Sequence, residues 1–224
     1  MHQKFKELDI SHPPTIIVDN KNSAPCIPPI SFPILFKPAH GSGSTGIKKI
    51  NTLEEYKKTI KSTKYDEYLL QEWIDMRRDL RLIYIGNELV LHYWRINNCK
   101  DWKPTSTSKG SSVDFITLPE KWMDFIYNEY KKLKINVGAF DITWRNDDLN
   151  SKPLILEVST SYMPNPPPVG KYLQLPYNEY KKTLFGKDAY FKQYLNLVFK
   201  LTKKELDIYS VSYTHLTLPT TPYV

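Results

Sequence analysis

The sequence predicts an α+β fold in two lobes, each built on a mainly antiparallel sheet. Three observations carry this. Two pairs of short alternating runs, at 80–94 and 137–159, fold back on themselves across polar turns, as antiparallel hairpins do. A glycine-rich stretch at 41–46 joins two short apolar runs and opens no helix. Residues 75–79, short and charged, read as a hinge between the halves.

The totals bound the problem. A chain of 224 residues holds one large domain or two small ones, each with a real core. The net charge of +7 raises the question of nucleic acid. The lysines, however, are spread over 54–61 and 129–134 among Glu and Tyr at helical spacing, so they read as solvated helix faces; nucleic-acid binding is the minor reading. No run is long enough to span a membrane, and the first residues lack the apolar core of a signal peptide. Cys26 and Cys99 fit neither a disulfide framework nor a metal-ligand spacing, and a reducing cytoplasm is the expected setting.

In chain order, residues 1–13 read as an N-terminal remnant, a short helix closed by Pro13 and Pro14. Residues 15–18 and 34–38 read as strands, the second ending in Lys37. The loop that follows matches G-x-G-x-x-G formally. It fails the P-loop pattern, because Ile47 stands where a lysine must follow the last glycine. It also fails the dinucleotide pattern, because residues 47–50 read as another strand where that pattern needs a helix. A flap whose backbone N–H groups cover phosphates and an ordinary hairpin are both open readings. Lys37 favours the first. Thr52 and Glu55 then signal a capping box opening a helix to Ser62, followed by a strand at 68–74.

In the second half, the turn Gly86-Asn87 sets Leu82 opposite Leu91 and Tyr84 opposite Leu89, with Arg81 opposite His92 on the other face. A polar loop at 97–110 is long enough for a binding role. A helix over 120–134 turns Trp122, Ile126, Tyr130 and Leu133 to the core. Two further helices are expected at 177–184 and 188–204, the latter with Phe191, Tyr194, Leu195, Val198 and Leu201 at core spacing. Tyr-Asn-Glu-Tyr-Lys-Lys occurs at 127 and again at 177, as two similar amphipathic helices.

The hairpin at 137–159 carries the chemistry. A symmetric register about Leu149 pairs Phe140 with Val158, Ile142 with Leu156 and Trp144 with Leu154 on an apolar face. The other face sets Asp141 opposite Glu157. Facing like charges destabilise a sheet, so either a hard cation such as Mg²⁺ lies between them or the face is simply solvated.

Taken in order, Phe36-Lys37-Pro38, the glycine flap, Leu70-Gln71-Glu72-Trp73-Ile74, Arg78-Asp79-Leu80-Arg81, Arg95, Phe140-Asp141-Ile142 and Leu156-Glu157-Val158-Ser159 resemble the ATP-grasp superfamily. They are nearest to its RimK-like carboxylate–amine (glutamate) ligases, over about residues 14–168. The resemblance implies a small lobe at 14–74 and a large lobe at 75–205, gripping ATP between them. Lys37 would meet the phosphates under a flap of Gly41, Ser42, Gly43, Ser44 and Gly46. Gln71, Glu72, Trp73 and Ile74 would hold adenine, and Asp79 the ribose. Arg81 and Arg95 would stabilise the transferred phosphoryl group and the acyl-phosphate. Asp141 and Glu157 would bind Mg²⁺, with Glu157 bridging two ions and Mn²⁺ as an alternative.

Ser159 stands where the family usually has a metal-ligating Asn, and would act through its hydroxyl or a water. Lys103 and Thr105 align only loosely. The implied reaction is ATP-dependent joining of a small-molecule or peptide carboxylate to an amine. The alternatives are a phosphotransferase and a non-catalytic ATP-binding fragment. The family's usual N-terminal domain is absent from the sequence, which points to a fragment, a partner or a homo-oligomer. Residues 211–224 differ in composition from the rest, resemble a translated sequencing-adapter read-through, and are expected to be a non-native tail without a part in the fold.

Overall fold

The apolar residues are shared between two antiparallel sheets, as the alternation predicts. A computed structural model describes residues 1–40, 44–99 and 102–214. After a short helix α1 (His2–Glu7) come strands β1 (Thr15–Val18), β2 (Ile34–Pro38) and β3 (Lys48–Ile50), helix α2 (Leu53–Ser62) and strand β4 (Tyr68–Glu72). These strands form the first sheet in the spatial order β1-β4-β2-β3, every pair antiparallel. Ile34, Phe36, Ile50, Tyr56 and Leu70 fill the core on one face. Period-2 alternation therefore sends Leu35 and Lys37 to the opposite face. Helix α2 begins as predicted: Glu55 N–H donates to Thr52 Oγ1 at 3.2 Å. Glu55 itself reaches back to the N–H of Asn51 at 2.7 Å.

The second sheet contains β5 (Arg78–Ile85), β6 (Glu88–Ile96), β7 (Ser112–Asp114), β8 (Val137–Thr143) and β9 (Leu154–Ser159). Its order is β7-β6-β5-β8-β9. Helix α3 (Glu120–Lys132) covers one face, and Leu80, Leu82, Tyr84, Trp94, Phe140 and Ile142 pack there with Ile126, Tyr130 and Leu133. Tyr84 and Tyr130 stack at 4.6 Å between ring centroids. Phe5 and Ile10, from the N-terminal segment, complete this core. Truncating any of these buried side chains to Ala costs about 2–5 kcal/mol.

Two bulges correct the predicted registers. In β5–β6, Tyr84 does face Leu89, but a slip between Ile83 and Tyr84 then pairs Ile83 with Leu91, Leu82 with His92 and Arg81 with Tyr93. In β8–β9, Phe140 faces Val158 and Asp141 faces Glu157 as expected. Beyond Asp141, Ile142 meets Ile155 and Thr143 meets Leu154, where Leu156 and Trp144 were expected. Each bulge absorbs one extra residue and leaves the buried face intact.

The C-terminal third departs most from expectation. Helix α4 (Tyr177–Tyr180) is a single turn, and α5 (Tyr190–Thr214) is far longer than predicted. No Gly or Pro interrupts 190–214, so the backbone stays helical across position 211. Residues 215–224 lie outside the described residues. Phe191 and Leu195, predicted as core, are exposed, while Tyr190 and Leu201 are buried. Gly86 is held close to this helix: at φ +61° a side chain is strained, and a Cβ there would lie 2.8 Å from Ile208 Cδ1, so glycine suits the turn. Among the described residues, no helix is long and apolar enough to cross a membrane.

Candidate active site between the two lobes

The face of the second sheet turned away from α3 collects nearly every charged residue singled out in the sequence. Strand alternation puts Leu80 and Leu82 in the core, so Asp79 and Arg81 must lie on the other side. The same holds for Arg95 beside Trp94, Asp141 beside Phe140 and Ile142, and Glu157 and Ser159 flanking Val158. Register completes the cluster, with Asp79 opposite Arg95, Arg81 opposite Asp141, and Asp141 opposite Glu157.

Four of these side chains form a continuous ion network of alternating sign. Arg81 grips Asp141 with two hydrogen bonds of 2.7 Å, Nε to Oδ1 and Nη2 to Oδ2. Arg95 Nη2 lies 2.8 Å from the same Asp141 Oδ2. Its Nε donates to Asp79 Oδ1 at 3.0 Å, and its Nη2 contacts Asp79 Oδ2. Asp79 is 1 % exposed. Burial pushes the Asp141 carboxyl up, but Arg81 and then Arg95 outweigh it and hold the group well below the usual carboxylate range. Burial of Asp79 is the larger influence there and raises it against the pull of Arg95.

Lys37 approaches from the first sheet. Its ammonium donates to Gln71 Oε1 at 2.5 Å, Gln71 Nε2 donates to Thr15 Oγ1 at 2.9 Å, and Thr15 Oγ1 donates to Pro13 O at 2.7 Å. This relay crosses the sheet and fixes the lysine. Burial lowers its pKa, while Glu157, Asp141 and Asp79, in that order, pull it back up. The lysine of the first sheet is thus electrostatically coupled to the acids of the second. Glu157 is exposed and accepts from Ser159 Oγ at 3.1 Å.

The predicted adenine segment is tied differently. The Glu72 carboxylate is held by Arg145 through bonds of 2.7 and 2.6 Å, which leaves its side chain engaged. Asn146 N–H donates to Asp75 O, and the Asp147 carboxylate accepts from the N–H groups of Arg77 and Arg78. The turn at 145–147 thus clasps the segment 72–78. Ile74 is buried, and Lys49 lies 3.6 Å above the Trp73 ring.

Of the flap, Gly41, Ser42 and Gly43 lie outside the described residues. Gly46, at φ +78°, passes so close to Pro38 and Tyr65 that a Cβ would come within 2.9 Å of Pro38 Cγ. Lys109, which the sequence did not single out, donates to Ser44 O at 3.0 Å and joins the polar loop to the flap. Thr105, Ser106 and Thr107 of that loop are buried, and Lys181 Nζ donates to Thr107 Oγ1 at 3.1 Å. Lys103 enters no contact with the ion network. Arg145, Lys109 and Thr15 are the polar residues of the cleft that sequence reasoning missed. Each acts across 56 or more residues of chain, and no local pattern marks such contacts.

Two antiparallel-sheet lobes, with Lys37 on the first and a network of paired arginines and acids on the second, define the class of fold. The RimK-like ATP-grasp domain family matches residues 2–164, and this chain belongs to it. It is 26 % identical over 140 residues to the alpha-aminoadipate–LysW ligase LysX of Saccharolobus solfataricus, covering 59 % of this chain and 49 % of that protein. It is 26 % identical over 114 residues to the vancomycin/teicoplanin A-type resistance protein VanA of Enterococcus faecium, covering 47 % and 33 %. The chain therefore spans half or less of the length of these curated relatives. In structure it resembles the D-alanine–D-alanine ligase from Bacillus anthracis, with a TM-score of 0.59 at 16 % identity, over 94 % of this chain and 67 % of that one. It also resembles the ATP-grasp ligase PsnB complexed with minimal precursor, Mg and ADP, with a TM-score of 0.51 at 12 % identity, over 72 % and 48 %. Both structural likenesses are of fold.

Proposed function

We propose that this chain is the nucleotide-binding and phosphoryl-activating part of an ATP-dependent carboxylate–amine ligase. The observation that carries the reading is the cluster of Asp79, Arg81, Arg95, Asp141 and Glu157 on one face of the second sheet, with Lys37 of the first sheet within electrostatic reach of its three acids. Lys37 and the flap would hold the phosphates. The backbone of Gln71, Glu72, Trp73 and Ile74 would meet adenine, since Arg145 occupies the Glu72 side chain. Asp79, which the resemblance assigns to the ribose hydroxyls, is buried and held by Arg95, so that role would need Arg95 to release it. These roles correspond to a small lobe over 14–74 and a large lobe over 75–205.

The residues present suit Mg²⁺. Asp141 stays charged under its arginines, and Glu157, one strand away, is exposed. Among the described residues no group of three or more His, Cys, Asp or Glu side chains forms a metal cage, and Asp79, the third acid of the network, is engaged by Arg95. That fits an ion which takes one or two carboxylates and completes its shell with phosphate oxygens and water. Glu157 would be the bridging ligand for two ions, with Mn²⁺ able to substitute; Ser159 would orient Glu157 and ligate only through its hydroxyl or a water. Bound there, the cation would neutralise charge on the β- and γ-phosphates.

A substrate carboxylate oxygen attacks the γ-phosphorus, ADP departs, and an acyl-phosphate forms. An amine nitrogen then attacks the acyl carbon, inorganic phosphate leaves, and the nitrogen releases a proton as the amide forms. Arg81 and Arg95 would neutralise charge on the transferred group, so catalysis rests on positioning and electrostatics, with no protein nucleophile. The likeness to the alpha-aminoadipate–LysW ligase LysX supports a small-molecule or peptide carboxylate and an amine as substrates. ATP supply and two exposed free cysteines suit a cytoplasmic setting.

The test is phosphate release from ATP·Mg²⁺ across a matrix of carboxylates and amines. Release that requires both substrates supports the ligase. Transfer to a hydroxyl acceptor without free phosphate identifies a phosphotransferase instead, and ATP binding without turnover on any pair identifies a nucleotide-binding fragment.

A further inference from the structure

Helix α5 carries an apolar face that the other described residues leave uncovered. Its inner side packs on the large lobe through Tyr190, Leu201 and Ile208. That side is pinned by Lys204 against Glu88 and by Tyr162 Oη donating to Glu205 Oε1 at 3.0 Å. At 100° per residue, Phe191, Leu195, Phe199, Leu206 and Tyr209 fall on a second stripe, roughly a third of a turn away. Their exposures are 47, 48, 75, 63 and 48 %. A continuous stripe of this kind along a helix is the pattern of a helix–helix seam.

We propose that this stripe is the contact between two copies of this chain, joined through antiparallel α5 helices. Self-complementarity and charge select a second copy as the occupant. A two-fold axis beside Phe199 lays Phe191 against Leu206 of the second copy and Leu195 against its Thr202, with no charge inside the seam. The flank of the stripe carries Lys192 near one end and Asp207 near the other. The same rotation brings each Lys192 beside Asp207 of the second copy, twice per dimer. Parallel pairing would instead set Lys192 against Lys192 and Lys203 against Lys203, which is repulsive. A uniformly acidic or basic partner would meet a flank of mixed sign.

Five side chains of this size remove on the order of 500 Å² per copy, the small end of specific interfaces. The dimer is accordingly weak, dissociating in about the micromolar to tens-of-micromolar range. Sedimentation of the full chain from about 1 µM to a few hundred µM is the direct test. A monomer–dimer equilibrium is expected. The double variant Leu195→Glu/Phe199→Glu should raise the dissociation constant at least tenfold with an unchanged far-UV spectrum and melting curve. Lys192→Asp should weaken the dimer several-fold, and adding Asp207→Lys should restore it. Removal of residues 215–224 should leave it unchanged. The proposal is overturned by a monomer at every concentration, by a dimer indifferent to Leu195→Glu/Phe199→Glu, or by a charge swap that fails to restore pairing. A chain that dimerises only once 215–224 is removed would also overturn it, because the tail would then be the occupant.

Discussion

The middle of the large-lobe sheet and its edge treat their acids in opposite ways. At the centre, Asp79 and Asp141 are enclosed by Arg81 and Arg95, and every formal charge there meets its opposite within the sheet. At the edge, on β9, Glu157 is exposed and, among the described residues, is hydrogen-bonded by the Ser159 hydroxyl alone. The centre is a self-neutralised lattice whose members hold one another in place. The edge presents a charge with no cation of its own, apart from Lys37 across the cleft. The difference separates residues that build the site from the residue most open to an incoming ion.

Substitutions at the centre should therefore cost stability, and substitutions at the edge should cost ligand. Arg95→Met gives the largest expected effect: it strands Asp79 in a buried position and should lower unfolding free energy by about 3–5 kcal/mol in urea titrations. Asp141→Asn tests the sign of the lattice. Its folded-state pKa lies below the unfolded value, so the carboxylate contributes stability that is present above the unfolded pKa and lost as pH falls through the folded one. Wild type should be more stable than Asp141→Asn at neutral pH, and the gap should shrink steadily below about pH 4 in parallel thermal melts.

Lys37→Met moves to the cleft. It should weaken ATP about tenfold while adenosine binding changes little, as read by calorimetry; equal weakening of both would make the lysine structural. Arg145→Ala gives the smallest effect. The pair with Glu72 is partly solvated, at 46 and 26 % side-chain exposure, so the loss should stay near 0.5 kcal/mol or less. Any larger change would show that the turn at 145–147 fixes the angle between the lobes.

Much of this contrast was legible in the sequence. Period-2 alternation set Arg81, Asp141 and Glu157 on the face opposite the apolar residues, and the symmetric hairpin placed Asp141 against Glu157 as found, while Asp79 and Arg95 entered only through the family resemblance. The bulges after Ile83 and Asp141 were not legible, since an extra residue in a strand carries no compositional mark. The pairing of Arg81 with Asp141 depends on β5 lying beside β8, a contact across 60 residues that no hairpin rule supplies. Helix α5 was misread for a different reason. Its sequence places apolar residues on two faces, Tyr190 and Leu201 on one, Phe191 and Leu195 on the other, and periodicity alone cannot choose which one the large lobe covers.

The central claim is that Glu157 is the edge acid that takes the nucleotide's Mg²⁺. Calorimetric titration of ATP into wild type and Glu157→Gln, with and without Mg²⁺, alongside their urea unfolding curves, tests it most directly. The account predicts that the variant unfolds within about 0.5 kcal/mol of wild type and loses the Mg²⁺-dependent part of its ATP affinity, tenfold or more. A variant that keeps its Mg²⁺ dependence would contradict the assignment.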